Sequence, residues 1–168
     1  HRIDMTKRMR ENENRRDRAK KKIFDEMGIQ EPKSSQVLKL LLAEECNWEC
    51  PYTGKPISMS ALLGANPQFD IEHILPFSRS LDNSFVNKTL CHHDENRHGK
   101  RNQTPYEAYS GDAERWDVIL TRVKRFQRRG GRNPKLDRFL MTEIPEDFAN
   151  RMLNDTRYIS KQAADYIG

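Results

Sequence analysis

At 168 residues, 33% of them charged and only 35% hydrophobic, the chain suits one domain with a modest core, much solvated surface and appended linkers. Its net charge of +5 favours a polyanionic partner. No apolar run approaches the ~18 residues of a membrane span, the longest, Val37–Ala43, being interrupted by Lys39, and there is no signal-peptide pattern, so a membrane partner is not expected.

Residues 4–27 predict a charged helix with sparse apolar residues at Met5, Met9, Ile23, Phe24 and Met27, stopped by Gly28. A helix so polar buries little and suits a bridge between two bodies. Pro32 and Ser34-Ser35 open a second, amphipathic helix carrying Val37, Leu38, Leu41 and Leu42 on one face. Cys50–Pro56 is turn chemistry, followed by a weakly structured patch to Pro67. Two extended pieces and a short polar helix come next, over residues 69–100. Thr104-Pro105-Tyr106-Glu107 then combines a capping box with proline at the first helical position. Asp112 caps a longer helix with Trp116, Ile119, Leu120, Val123 and Phe126 at helical spacing; Gly130-Gly131 breaks it and Asn133-Pro134 starts another. Residues 145–167 hold two further helical stretches around Asn154-Asp155-Thr156. The opening residue is His1 rather than Met, as expected of a piece of something longer.

Chemistry concentrates in Phe69–Lys100, FDIEHILPFSRSLDNSFVNKTLCHHDENRHGK. Glu72 and His73 close a short apolar run, Asn87-Lys88 begins the second extended piece, and Asn96 lies in the polar helix. Metal-dependent phosphodiester cleavage needs a base for water, hard oxygen ligands for a divalent cation, and a support that aims the base. An imidazole with a pKa of about 6.5 suits the first task at neutral pH. Mg²⁺ takes hard oxygens and keeps several waters, so the Glu72 carboxylate and the Asn96 amide oxygen are its candidate ligands. Asn87 is a candidate to hydrogen-bond backbone across the loop and hold His73. On a regular strand Glu72 and His73 point to opposite faces, so the strand must end or bend there, and Pro76 makes an ending reasonable. Alternation puts Asp70 on the face of Glu72, as a possible supporting residue or alternative ligand.

Each residue also has an ordinary reading: a lone histidine is more often structural, Asn-Lys pairs are common in turns, and asparagine at a polar helix start usually faces solvent. The ordered combination is what carries the functional reading. His92, His93 and His98 are expected at the surface or near nucleic acid. Cys46 and Cys50 have an allowed metal spacing, but with Cys91 they lack a second pair. Structural zinc is therefore not expected, and small buried thiols in a reducing compartment are. The basic run from Arg122 through Lys124, Arg125, Arg128, Arg129, Arg132 and Lys135 to Arg138 either tracks a phosphate backbone or is a solvated helix face.

The ordered His-Asn-Asn set resembles the HNH nuclease motif. Its surroundings are similar to the HNH domain of the CRISPR-associated type II RNA-guided DNA endonucleases, nearest their subtype II-C branch. The matching pieces are EPKSSQVLKLLLAEE, CPYTGKPI, IEHILPFSRSLDNSFVNKTL, ENRHGKRNQTPYEAY and LNDTRYIS, spanning nearly the whole chain from about Glu31 onward.

The resemblance implies an α+β fold, a ββα-metal core with a short two-stranded sheet surrounded by helices. It implies residues 1–30 as a helical linker from a preceding RuvC-like segment, 31–145 as the nuclease domain, and 146–168 as a linker to a following RuvC-like segment. His73 would be the general base, with Asn87 supporting it. Glu72 and Asn96 would bind Mg²⁺, with Mn²⁺ as a substitute, and Asp70 would stand behind them. Lys88, Arg97, His98, Lys100 and Arg101 are expected to contact nucleic acid. The substrate would be the DNA strand paired to a guide RNA, with base pairing reading sequence and docking of this domain licensing cleavage. The guide RNA and the RuvC-like domain would be partners through the parent protein in a bacterial or archaeal cytoplasm, and this piece by itself is expected to be monomeric. One departure stands out: the family usually has Asp where this chain has Glu72, whose carboxylate reaches ~1.5 Å further. The alternatives are a free-standing HNH homing or restriction endonuclease and a non-catalytic basic nucleic-acid-binding module.

Overall fold

The computed structural model describes residues 2–128 and 130–155. Helix α1 (Arg2–Met27) buries only Ala19 and Ile23, as its polar composition dictates, and ends at Gly28 with φ +69°. Helix α2 (Ser34–Glu45) is held at its start by the Gln36 side chain, which accepts from the Lys33 amide at 2.9 Å. It lies at the centre of the core, with Val37, Leu40, Leu42 and Ala43 buried; Leu38 and Leu41, expected on the buried face, are only partly covered. The patch before Pro67, expected to be weakly structured, contains a short helix, α3 (Met59–Leu63), capped by Ser58 and burying Leu62 and Leu63.

Strands β1 (Phe69–His73) and β2 (Lys88–His92) pair antiparallel, with Phe69 opposite His92, Glu72 opposite Thr89 and His73 opposite Lys88. Between them, Pro76 opens the single turn of α4 (Phe77–Ser80), Leu81 takes a left-handed φ of 53°, and a 3-10 turn over Phe85–Asn87 leads into β2. From β2 the chain runs into α5 (His93–Glu95), capped by the His92 ring, and then directly into a π turn, Asn96–Lys100. Strand, strand and helix in this order form a ββα unit, the expected α+β class.

The remaining helices buttress that unit. α6 (Pro105–Tyr109) begins with the expected capping box, Thr104 and Glu107 exchanging side-chain-to-backbone bonds. α7 (Ala113–Lys124) is capped by Asp112 and α8 (Pro134–Leu140) by Asn133. α7 stops short of Phe126, which the periodicity placed on the helix, yet that ring is still buried. Residues 148–155 are helical; the rest of the expected C-terminal linker and of the LNDTRYIS segment lies outside the described residues. Among the described residues no helix is long and apolar enough to cross a membrane.

Candidate active site

The site forms where β1 ends and the π turn begins. His73 is the last residue of β1, and its Nε2 lies 2.9 Å from Oδ1 of Asn83, an exposed residue of the loop between the strands. Its ring tilts against Phe77 at 5.4 Å. Asn87, fully buried, lies behind that loop. Its Oδ1 accepts from the Leu75 amide at 3.0 Å, while its Nδ2 donates to the carbonyls of Leu75 at 3.0 Å and Asp82 at 2.8 Å. The Asn87 carbonyl in turn accepts from Ile74 at 2.8 Å. One side chain thus ties the segment leaving His73 to the segment entering β2. The loop is further fixed by Arg138, which donates to the Asp82 carboxylate at 2.8 Å; although burial opposes it, bonds from Ser84 and Arg138 hold that acid below its usual range.

Glu72 occupies a different environment from His73. Its carboxylate is buried, with Oε2 accepting from the Tyr52 hydroxyl at 2.7 Å and Oε1 in direct ion-pair contact with the Lys100 ammonium. Burial raises the Glu72 pKa against the opposing pull of Lys100. Lys100 also donates to the His73 carbonyl at 3.0 Å. Asp70, on the same face as Glu72 by strand alternation, accepts from Nδ2 of Asn96 at 3.3 Å. Thr89, directly across the sheet from Glu72, has a buried hydroxyl without a hydrogen-bond partner.

Asp70, Glu72 and Asn96 present hard oxygens of the kind Mg²⁺ takes, and a cationic group already rests on Glu72, so the donor set fits a cation. Glu72 and Asn96 nonetheless have separate partners here. Among the residues expected to meet nucleic acid, Arg97, His98 and Arg101 are exposed and Lys88 is half-buried. Lys100 is not at that surface; it is 1% exposed and committed to Glu72. His92, expected at the surface, is also buried, edge-on to Phe69, and with His93 and Asp94 forms a cluster whose potential ligand atoms lie within 4.8 Å of one another. Cys46, Cys50 and Cys91 are buried free thiols; a hydrogen bond from Cys91 holds Cys50 down to about 5. Asn83 and Tyr52 touch the motif and were not singled out from the sequence, and Lys100, expected at nucleic acid, faces inward against Glu72. The pieces that carry them, IEHILPFSRSLDNSFVNKTL, CPYTGKPI and ENRHGKRNQTPYEAY, stood out only as stretches similar to the family.

A family model described as HNH endonuclease matches residues 50–106. The chain is 33% identical over 133 residues to the CRISPR-associated endonuclease Cas9 of Campylobacter jejuni, covering 79% of this chain and 13% of that protein. It is 34% identical over 131 residues to Cas9 1 of Streptococcus thermophilus, covering 73% of this chain and 11% of that one. The crystal structure of Streptococcus thermophilus Cas9 in complex with the AGAA PAM superposes with a TM-score of 0.73 at 27% identity, over 99% of this chain and 17% of the other. The Type II-C Cas9 of Actinomyces naeslundii shares the fold, with a TM-score of 0.62 at 19% identity, over 84% of this chain and 16% of that one. The chain thus spans a small fraction of each relative's length, and with the motif in place on a ββα unit it belongs to the HNH endonucleases, as an HNH region of the Cas9 kind.

Proposed function

We propose that this region cuts the guide-paired DNA strand of an RNA-guided endonuclease by hydrolysis, with His73 as the general base. The observation that carries the reading is the His73–Asn83 contact. With an amide oxygen as the acceptor, the imidazole proton is on Nε2, and Nδ1 keeps a lone pair for a water proton. Asn83 steadies the ring and stabilises its charged form after proton uptake. Asn87 acts further back, holding the backbone of Ile74 and Leu75 so that His73 leaves the strand at a fixed angle. A Mg²⁺ ion, or Mn²⁺ in its place, held by Glu72 and Asn96 with Asp70 alongside, would supply stabilisation of the phosphoryl charge. Arg97, His98 and Arg101 lie on the same turn as Asn96 or next to it, exposed for contact with the strand's phosphates, and Lys88 pairs with His73 across the sheet.

α1 suits the role of linker from a preceding RuvC-like segment, being long and almost wholly solvated. Residues 31–145 are then the nuclease domain, and the segment from 146 the linker onward. The guide RNA and RuvC-like domain would be met within the parent protein, in a bacterial cytoplasm. The test is nicking by that parent protein with Mg²⁺: His73→Ala is expected to abolish cutting of the guide-paired strand while DNA binding stays nearly intact. Equal cutting of that strand by variant and wild type would refute the assignment.

A further inference from the structure

The π turn carries a ligand candidate at one end and a competing cation at the other. Asn96 opens it and Lys100 closes it. The Lys100 ammonium bridges the Glu72 carboxylate and the His73 carbonyl, 3.0 Å from the latter, with Lys100 only 1% and Glu72 4% exposed. Tyr52 takes the other Glu72 oxygen at 2.7 Å. Both oxygens of this carboxylate are therefore occupied, one of them by a positive charge. A buried carboxylate needs a counter-charge, and here the chain provides its own.

We propose that Lys100 is an internal cation that closes the Glu72 site, so that divalent metal binding and departure of the Lys100 ammonium are a single event. This rests on the assignment of Glu72 as a metal ligand. An ammonium and a divalent ion on one buried carboxylate repel each other in a water-poor setting, so each disfavours the other there. The ammonium has a route out: it is carried on a flexible four-carbon stem at the last residue of the turn, and Arg101, Asn102 and Gln103 beyond it are exposed. π turns are single-turn irregularities in helices that cluster at functional sites. Withdrawal of Lys100 by rearrangement of this turn also acts on Asn96, whose amide now donates to Asp70 at 3.3 Å. A single element then releases one ligand and reorients the other, and the metal-free domain remains closed.

The test is Mn²⁺ binding by the 168-residue chain at pH 8 without nucleic acid, read from the spin-resonance signal of free Mn²⁺. Lys100→Met, which keeps the stem and removes the charge, is expected to bind about tenfold more tightly than wild type, and Lys100→Arg to stay near wild type. Equal or weaker binding by Lys100→Met, with its fold intact by circular dichroism, overturns the proposal. Glu72→Gln added to Lys100→Met separates the two layers: if affinity does not fall, Glu72 is no ligand, and both the ligand assignment and the proposal fail. Because removing one partner of a buried pair can unfold a domain, wild type supplies a second readout. Its Lys100 ammonium should give a slowly exchanging nitrogen-detected signal that vanishes on Mg²⁺ saturation. A signal unchanged at saturating Mg²⁺, with Mn²⁺ broadening the amides of Glu72 and Asn96, overturns the proposal while leaving the ligand assignment standing. Broadening at Asp94 alone removes both.

Discussion

His73 makes its polar contact with Asn83 ten residues away, across a loop that its own strand does not control. A neutral amide at this position steadies the ring without adding charge. Asn83→Asp would place a carboxylate against the imidazolium and favour the protonated form. The base would then stay protonated to higher pH, so the acidic limb of the cleavage profile should move upward by about one unit. Single-turnover cutting by the parent protein across a pH series checks this; an unmoved limb would mean that Asn83 does not touch the working base. Asn87→Ala takes the side-chain partner from the Leu75 amide and the Asp82 carbonyl and leaves the Leu75 carbonyl with the Ser80 hydroxyl alone at 3.2 Å, which should cost about 3 kcal/mol in urea unfolding. A loss below about 1 kcal/mol would mean that water or a neighbour replaces the amide. His73, Asn87 and Asn96 were legible as candidates because their residue types and order match a chemical need. Asn83, Tyr52 and the inward turn of Lys100 were not, because spacing along the chain does not reveal which polar group a fold will bury against which charge.

At the scale of elements, local signals did best where the structure is local. Thr104 with Glu107, Asp112 and Asn133 each announced a helix start through a side chain that can accept from the backbone two or three residues on, and each does so. The π turn had no such signal. Its five residues, NRHGK, are polar apart from Gly99, and what fits that glycine is a tertiary contact. A Cβ there would meet Oε1 of Glu95 at 2.1 Å. A side-chain tip normally yields, but this one is fixed by Tyr109 and Arg115, each donating at 2.7 Å. Gly99→Ala should therefore destabilise the chain by about 2 kcal/mol, the size of an overpacking strain. In a Glu95→Ala background the same substitution should be nearly neutral. The double-mutant cycle by thermal or urea unfolding isolates the coupling; additive effects would show that the glycine serves backbone freedom instead of room for the carboxylate.

The whole molecule carries +5, but its cations are not equally available to a polyanion. Within the basic run expected to track phosphates or face solvent, Arg122 pairs with Glu49, Lys135 with Glu45 and Arg138 with Asp82, so those three hold the fold together. Lys124, Arg125, Arg128 and Arg132 are exposed, and Arg129 lies outside the described residues. Composition supplied the sign of the charge and could not supply this sorting, which depends on acidic partners up to 90 residues away in sequence. Near the candidate active site the exposed cations are Arg97 and Arg101, with His98 between them. If that surface guides the strand, each arginine neutralises about one phosphate and releases its counterion. Removing both as Arg97→Ala with Arg101→Ala should lower the slope of log affinity against log salt by about 2. Sequence preference should stay absent, since phosphate contacts position a strand without reading it. Fluorescence anisotropy with labelled duplex at several salt concentrations gives the slope directly. A slope unchanged in that pair, but reduced in Arg128→Ala with Arg132→Ala, would move the phosphate track to the α7–α8 face and leave His73 approached from elsewhere.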